Sequence, residues 1–155
     1  MPLSREEDIL ARTIWGEARS EGTLGMRAVA ATIMNRVNTD LNNDKKPDWW
    51  GEGVIGVCTK PWQYSCWNAN DPNLPKLKAV TTADVTFKKA VEIAIEAIKK
   101  GEILPDPTFG ATHYVVDTWV DKTDWTYFKD KRGNRIGKRA PLVKIGRHVF
   151  YANPQ

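Results

Sequence analysis

Apolar residues recur at helical spacing in three stretches of the chain, and each stretch predicts an amphipathic helix. The first covers residues 5–19 and begins at a capping box formed by Ser4 and Glu7. The second covers residues 23–38, and its many alanines permit close packing against the first. The third covers residues 84–100, where two lysines and a following glycine mark the end. We expect the first two helices to form the core and to pack under the third.

An acidic side chain interrupts the apolar stripe of the first helix. Four residues follow one another on this stripe at helical spacing: Leu10, Ile14, Glu17 and Glu21. Glu17 is therefore expected to point inward or into a cleft. Apolar neighbours disfavour its charged form there and raise its pKa toward the range that a general acid needs. The helix alone leaves a second interpretation open, in which Glu17 is an end-of-helix carboxylate paired with Arg12 or Arg19.

The rest of the chain alternates between irregular and strand-like patterns. Residues 39–73 are rich in Asn, Asp, Pro, Gly and Trp, and loops of this length inside compact domains are usually functional. Short runs at residues 54–57 and 60–67 predict a small sheet or hairpin that carries exposed aromatic side chains. Residues 111–116 and 142–151 are rich in β-branched and aromatic residues and predict strands. The expected class is therefore α+β.

The length and the net charge of the chain place only weak limits on its domain organisation and on the class of its partner. The 155 residues are expected to form one domain over residues 1–155. Lys+Arg number 23 and Asp+Glu number 19, and a net charge of +4 suits an anionic partner such as nucleic acid, a membrane surface or a wall polymer. Six cations and one anion lie within residues 129–139, which we expect to form a solvated loop. The seven Trp residues are more informative, because indole rings stack on sugars or bases.

Several chemistries lack the residues they need. The two histidines, His113 and His148, have no metal-ligand spacing, and no glycine-rich phosphate loop lies between a strand and a helix. Cys58 and Cys66 fit neither a redox pair nor a four-ligand zinc site, and they are either bridged or reduced. A Cys nucleophile with a His base stays open for either residue, although no flanking signature supports it. We expect no metal and no cofactor. What remains is carboxylate chemistry on a saccharide, with Glu17 beside the Trp-rich stretch.

Two ordered motifs near the N-terminus resemble a known family. Residues 14–22 read IWGEARSEG and residues 28–37 read AVAATIMNRV. They resemble the start of the SleB/CwlJ-type cell-wall hydrolase family, whose pattern reads roughly (Y/W)GE(A/S)RGE and then AVAAVILNRV. Three later landmarks follow in the same order: GV at 56–57 with PWQYS at 61–65, ATHY at 111–114, and VKIGRHVF at 143–150. The resemblance covers essentially residues 9–151.

The resemblance carries expectations about fold and activity. Members of the family cleave the glycan strand of peptidoglycan, many of them as lytic transglycosylases, and the first Glu of the GEAR motif is their catalytic residue. By position this residue is Glu17, the side chain that the helical spacing also selects. The implied fold is a single lysozyme-like α+β domain, mainly helical, with a small antiparallel sheet as the opposite wall of a glycan cleft.

The same resemblance suggests further site residues. Ser65 is expected to hydrogen-bond the substrate or Glu17. The remaining positions are expected to line the cleft or to orient the sugar: Trp15, which replaces a common Tyr, Glu21, Trp62, Gln63, Tyr64, Tyr114 and His148. A buried histidine bonded to backbone is the other interpretation of His148. A hydrolase needs a second carboxylate, and neither Glu21 nor the loop residues Asp40, Asp44 and Asp48 have a spacing that marks one.

We therefore expect a lytic transglycosylase, with a hydrolytic muramidase as the alternative and a non-catalytic wall-binding module as the rival of another class. The N-terminus has no apolar signal segment, and no run of 18 apolar residues occurs. A basic chain of this kind, without an export signal or a separate wall-binding domain, resembles a phage endolysin that a holin releases to the wall. It is expected to act as a monomer on peptidoglycan, without nucleic acid and without membrane insertion.

Overall fold

The computed structural model describes residues 2–154 and has the α+β class that the sequence predicts. The α-helices in this part of the chain are α1 (Arg5–Ala18), α2 (Gly22–Asn38), α3 (Gly53–Thr59), α4 (Leu74–Ala79) and α5 (Val85–Lys100). The strands are β1 (His113–Val116), β2 (Tyr127–Lys129), β3 (Arg135–Lys138), β4 (Val143–Ile145) and β5 (His148–Tyr151). Short 3-10 helices lie at Ser65–Trp67, Asp117–Lys122 and Asp124–Thr126.

The ends of the long helices follow from local chemistry. The Ser4 hydroxyl accepts a hydrogen bond from the Glu7 amide at 3.1 Å, and the Ser4 amide donates to the Glu7 carboxylate at 2.8 Å. This reciprocal pair is the predicted capping box. At α5 the Asp84 carboxylate accepts from the Phe87 amide at 2.9 Å, and Gly101 ends the helix with φ +76°. The three long helices predicted from periodicity are confirmed.

The core lies between the helices. Helix α1 packs against α5, α2 and α3, and α2 also packs against α5. The fully buried side chains from these elements include Leu10, Ile14, Val29, Ile33, Val57 and Ala94. The expected packing of the first two helices with the third is therefore confirmed. Burying these apolar side chains contributes roughly 1.5–3 kcal/mol for each large one, so the packing of the faces stabilises the helices.

A small antiparallel sheet covers one side of α2. Its strand order is β1-β5-β4, and Tyr114 of β1 lies opposite Phe150 of β5. Phe150 and Ala111 pack with Ala28 of α2 in a second buried cluster. The predicted strand at residues 142–151 is two strands, because Gly146 turns the chain with φ +59°. The small antiparallel sheet is confirmed, and it places Tyr114 near the helices.

The predicted sheet or hairpin in residues 39–73 is wrong. Residues 54–57 belong to helix α3, and Ser65 lies in a 3-10 helix rather than on a strand. The physical reason is visible in burial, since Val54, Val57 and Cys58 are buried at i, i+3 and i+4, which is helical spacing. Helix α4 was not predicted either.

The basic segment over residues 129–139 is exposed as expected, but it is not irregular. Strands β2 and β3 pair antiparallel there, with Phe128 opposite Gly137. All four residues of β3 are exposed. Two strands that bury little apolar surface show no alternating pattern, so the sequence offered no signal for them.

Two further features concern the cysteines and the lengths of the helices. Cys58 and Cys66 are both buried free thiols. Across residues 2–154, every helix is too short or too polar to cross a bilayer.

Candidate active site

Glu17 lies in the last turn of α1 and is half-buried at a cavity of about 230 Å³. The other side chains around this cavity come from α2, from the segment before and within the first 3-10 helix, and from β1: Arg36, Trp62, Gln63, Tyr64, Ser65 and Tyr114. The structure thus brings Glu17 together with five residues that the sequence predicts for substrate binding, namely Ser65, Tyr64, Gln63, Trp62 and Tyr114.

The cavity adjoins a larger groove and a smaller recess. The groove has a volume of about 860 Å³ and shares Arg36, Trp62, Gln63 and Tyr114 with the cavity. Three further rings line it: Trp49, His113 and Trp125. On the other side, Glu17 and Ser65 also line a recess of about 60 Å³ together with Asp71. Glu17 therefore stands between an open aromatic groove and a small polar recess.

The electrostatics of Glu17 favour its neutral form. The pKa of Glu17 is raised from 4.5 to about 7, mainly by burial and to a smaller extent by the negative charge of Asp71. Within residues 2–154 Glu17 forms no ion pair and no hydrogen bond with another side chain. The raised pKa keeps a substantial fraction of the carboxyl groups protonated at neutral pH, which suits a group that must first donate a proton.

Neither arginine of the alternative interpretation pairs with Glu17. The Arg12 guanidinium forms an ion pair with Asp8 at 3.1 Å and donates to the Leu77 carbonyl at 2.7 Å. The Arg19 guanidinium lies over the Trp15 ring at 4.4 Å. The structure therefore contradicts an end-of-helix ion pair for Glu17.

A close contact between α1 and the 3-10 helix at Ser65–Trp67 positions Ser65 beside Glu17. A Cβ atom at Gly16 would lie 2.8 Å from Cys66 Cβ and 2.9 Å from its Sγ, so only glycine permits this approach. The Trp67 indole donates to the Thr13 hydroxyl at 2.9 Å and joins the same two elements. Ser65 itself is exposed at the rim of the cavity.

The segment before Ser65 is held by Gln63. Its amide group donates to the Trp50 and Val57 carbonyls, each at 2.8 Å. Trp62 precedes it with φ +67° and is 74% exposed, so its indole borders both the cavity and the groove. Tyr64 is buried, and burial raises the pKa of its hydroxyl above the ordinary value. Gln63 thus positions the wall, while Trp62 offers a free ring face.

Three predicted substrate contacts lie away from the groove. Trp15 is a core residue that meets Phe87 edge-on, with ring centroids 6.3 Å apart. Two positions along a helix correspond to about 200°, so Trp15 and Glu17 point to opposite sides of α1. Glu21 lies beyond the end of α1, where its carboxylate accepts from the Arg147 amide at 3.4 Å.

His148 is the third. It is buried on β5, and its ring lies 4.9 Å from the Tyr114 ring. Its Nδ1 atom has no hydrogen-bond partner among the described residues. Burial lowers the pKa of His148, so the ring is neutral at pH 7 and supports Tyr114 from behind.

Two residues at the site were missed from the sequence. Asp71 is a carboxylate next to Glu17 that no spacing marks, because it follows a non-repetitive turn. Arg36 lies in the last turn of α2 and lines both the cavity and the groove. The NRV run of the resembling motif contains Arg36 and was the available signal. No group of three His, Cys, Asp or Glu within residues 2–154 has the arrangement of a metal site.

A protonatable carboxyl group in a groove with aromatic walls is typical of proteins that act on saccharides. A family model described as cell wall hydrolase matches residues 20–151, beginning three residues after Glu17. The chain therefore belongs to the cell wall hydrolase family.

Similar proteins agree with this assignment. Spore cortex-lytic enzymes of Halalkalibacterium halodurans and Bacillus cereus are 29% and 30% identical to the chain over 143 residues, which is 92% of it. The chain spans 33% and 42% of the length of these relatives.

Two solved structures share the fold. The catalytic domain of the germination-specific lytic transglycosylase SleB from Bacillus anthracis has 27% identity and a TM-score of 0.58, and the match covers 97% of this chain and 99% of that one. The catalytic domain of the Bacillus cereus SleB protein has 23% identity and a TM-score of 0.56, covering 97% and 92%. The expected lysozyme-like fold is therefore confirmed.

Proposed function

We propose that this chain cleaves the glycan strands of peptidoglycan between N-acetylmuramic acid and N-acetylglucosamine, with Glu17 as general acid and then base. The observation that carries the proposal is the position of Glu17, half-buried where the cavity and the recess adjoin, and burial there raises its pKa. Membership of the cell wall hydrolase family and likeness to a lytic transglycosylase catalytic domain support the same substrate.

The first step breaks the glycosidic bond. Neutral Glu17 donates its proton to the bridging oxygen while the muramic ring approaches an oxocarbenium ion at C1. The bond between C1 and the bridging oxygen breaks, and the N-acetylglucosamine end leaves as an alcohol. Trp62 and Tyr114 line the cavity, and in this proposal their rings pack against the sugars next to this bond.

The second step needs no further carboxylate. Glu17, now charged, accepts the proton of the muramic 6-hydroxyl group, and O6 bonds to C1 of the same ring. The product is a 1,6-anhydromuramic end, and Glu17 regains its proton. The nucleophile belongs to the substrate, so its proximity lowers the barrier. A mechanism that needs only one carboxyl group favours a lytic transglycosylase.

Asp71 supports a hydrolytic muramidase as the second candidate. It lines the 60 Å³ recess together with Glu17. A water molecule occupies about 30 Å³ in the liquid, so the recess has room for one or two between the carboxyl groups. Asp71 would then accept the proton of the attacking water, and the product would carry a reducing end instead of an anhydro end.

The test uses peptidoglycan sacculi with wild-type protein, Glu17→Gln and a control, Glu102→Gln, whose exposed side chain lies outside the groove. We expect wild type and the control to release muropeptides at equal rates and Glu17→Gln to lose roughly 100- to 10,000-fold, the usual contribution of a general acid. Mass spectrometry of the ends then separates anhydro from reducing products.

Two outcomes would overturn the proposal. Full activity of Glu17→Gln would show that Glu17 is not the general acid. Binding of wild type to sacculi without any release would instead favour a wall-binding module. Monomeric action and a role in host lysis after holin release stay predictions, which sedimentation and turbidity of cells expressing the chain with a holin would test.

A further inference from the structure

Arg36 has hydrogen-bond donors that the protein does not use. Its Nε donates to the Thr112 carbonyl at 2.7 Å. Within residues 2–154, the two terminal nitrogens of this guanidinium donate to no acceptor, and Arg36 forms no ion pair. Arg36 is half-buried at the place where the cavity of Glu17 adjoins the larger groove. The donors that remain are therefore available to a group bound there.

Aromatic rings hold this guanidinium in place. Its carbon lies 5.3 Å from the Trp50 ring centroid, 5.8 Å from that of Tyr64 and 5.9 Å from that of Trp49. Ring faces stabilise the cation but accept no strong hydrogen bond. A planar guanidinium held in this way is pre-organised for a carboxylate, which can accept two parallel hydrogen bonds.

Lys60 adds a second cation to the same groove. Its Nζ lies 5.5 Å from the Trp49 ring centroid, and it has no acidic partner among the described residues. The groove also contains Asp48, whose carboxylate already accepts from the Leu41 amide at 3.0 Å. His113 contributes no positive charge at neutral pH, because burial and the neighbouring Arg36 lower its pKa to about 4. The lining therefore attracts an anion.

We propose that Arg36 and Lys60 form a subsite for a carboxylate carried on O3 of the muramic ring. This inference rests on the proposed function, since the muramic ring must lie beside Glu17. The carboxylate has two sources in peptidoglycan, namely the free lactyl group of a strand without peptide stems and the acidic residues of an attached stem. Aromatic side chains of the groove hold the sugars, and the two cations select the acidic substituent. Neutral glycans lack the group that these cations bind.

The test measures dissociation constants by calorimetry in the Glu17→Gln background, where binding is read without turnover. The ligands are soluble muramyl strands with stems, strands stripped of stems, and stripped strands whose lactyl carboxyl group is converted to an amide. Arg36→Gln and Lys60→Gln are compared with Lys88→Gln, an exposed position on α5 that also loses one charge.

We expect Arg36→Gln to weaken binding of a carboxylate-bearing strand roughly 10- to 100-fold, because hydrogen bonds to charged groups contribute about 1.5–3 kcal/mol. Lys60→Gln weakens it several-fold, and Lys88→Gln leaves it unchanged. Arg36→Lys recovers part of the loss. All four variants bind the amide strand with the affinity of the background. The strand that responds, with or without stems, identifies the source of the carboxylate.

Equal loss on the carboxylate and amide strands would overturn the inference, because it would mean that the variants disturb the groove itself. Unchanged affinity in both Arg36→Gln and Lys60→Gln would also overturn it, as would the absence of binding to every strand. Lys60→Gln keeps the test decisive if Arg36→Gln does not fold. Failure of the proposed function is seen separately, as the absence of new glycan ends with protein that carries Glu17.

Discussion

At the scale of single residues, the protonation of Glu17 has two causes of different size. Burial is the larger cause of its raised pKa, and the charge of Asp71 is the smaller one. The facing groups are Arg19, Arg36, Cys58, Tyr64, Cys66, Asp71 and Tyr114. Within residues 2–154 no cation forms an ion pair with Glu17 to oppose these effects. Activity that needs the neutral acid should therefore fall as pH rises through about 7.

Asp71→Asn tests the smaller cause. Removing a negative charge beside Glu17 lowers the pKa of Glu17, so the alkaline fall in activity moves to lower pH, by about one pH unit at most because burial remains. The measurement is the pH profile of the rate of release of glycan ends from sacculi, with Glu102→Gln as control. An unchanged profile, or a fall that moves to higher pH, would show that Asp71 does not act on Glu17.

Comparing the stability of Glu17→Gln with that of wild type at different pH values tests the raised pKa of Glu17. The folded-state pKa of Glu17 is raised, so its contribution to stability is fully present below pH 4.5 and is lost as pH rises through about 7. At about 1.4 kcal/mol for each pKa unit, the free energy of unfolding of Glu17→Gln relative to wild type should increase by up to about 3 kcal/mol from pH 4 to pH 8.

Urea unfolding at the two pH values measures this difference. The lowered pKa of His113 acts in the opposite direction, since its contribution is lost as pH falls from 6.5 to about 4. Both proteins contain His113, so the effect cancels in the comparison. A relative stability that does not change with pH would mean that Glu17 titrates at its ordinary pKa.

At the scale of elements, the contact between α1 and the first 3-10 helix decides the geometry of the site. Gly16 of α1 lies against Cys66 of the 3-10 helix. Gly16 directly precedes Glu17, and Cys66 directly follows Ser65. The absence of a side chain at Gly16 sets how closely the two elements approach. The acid and the serine are near each other because of this packing.

Gly16→Ala is expected to destabilise the protein by about 1–3 kcal/mol and to reduce activity, because the new methyl group forces Cys66 and Ser65 to move. The matched control is Gly56→Ala in α3, where the nearest neighbouring atom to a new Cβ lies at 3.6 Å. This control should be stabilised by up to about 1 kcal/mol, since alanine favours helix. Thermal unfolding and sacculus release measure both effects, and equal stability of the two variants would contradict the prediction.

Helix α3 shows why short elements escape prediction. Seven residues give about two helical turns, which are marginal in isolation. Val54, Val57 and Cys58 have the spacing of a helix, yet the valines also favour strands. Contacts with α1 and α2 decide between the two.

At the scale of the whole molecule, the reactivity of the two buried thiols measures how well the packed core excludes solvent and reagents. Cys58 lies in α3 and Cys66 in the first 3-10 helix, and both belong to the main core cluster. Burial raises the pKa of the Cys58 thiol to about 12 and also raises the pKa of the Cys66 thiol. Thiolate is the reactive form, so both groups should be inert in the folded protein.

A thiol reagent such as Ellman's reagent measures this directly. Cys58 and Cys66 should react at least about 100-fold more slowly than an introduced thiol in Ser20→Cys, which lies at an exposed position. In denaturant all of the thiols should react at similar rates. Fast reaction of either native cysteine in the folded protein would mean that the packing around the 3-10 helix opens locally.

The sequence by itself determined the long helices, the two strand-forming regions of the three-stranded sheet and the inward-facing position of Glu17. Helical periodicity and capping depend on neighbours within a few residues, so α1, α2 and α5 could be predicted with their ends. Glu17 was recognisable because a carboxyl group on an apolar stripe conflicts with its surroundings whatever the distant chain does. A family resemblance in the surrounding motif selected the same residue.

Only the tertiary structure decided what surrounds the acid. Asp71 lines the recess beside Glu17 and Arg36 lines the cavity beside it, because segments far apart in the chain pack together. No local sequence pattern predicts this proximity. The same packing turned Trp15 into the core and left Trp62 exposed in the groove. The pKa of Glu17 follows from this arrangement, because the burial and the charge that raise it come from residues that only the folded chain brings together.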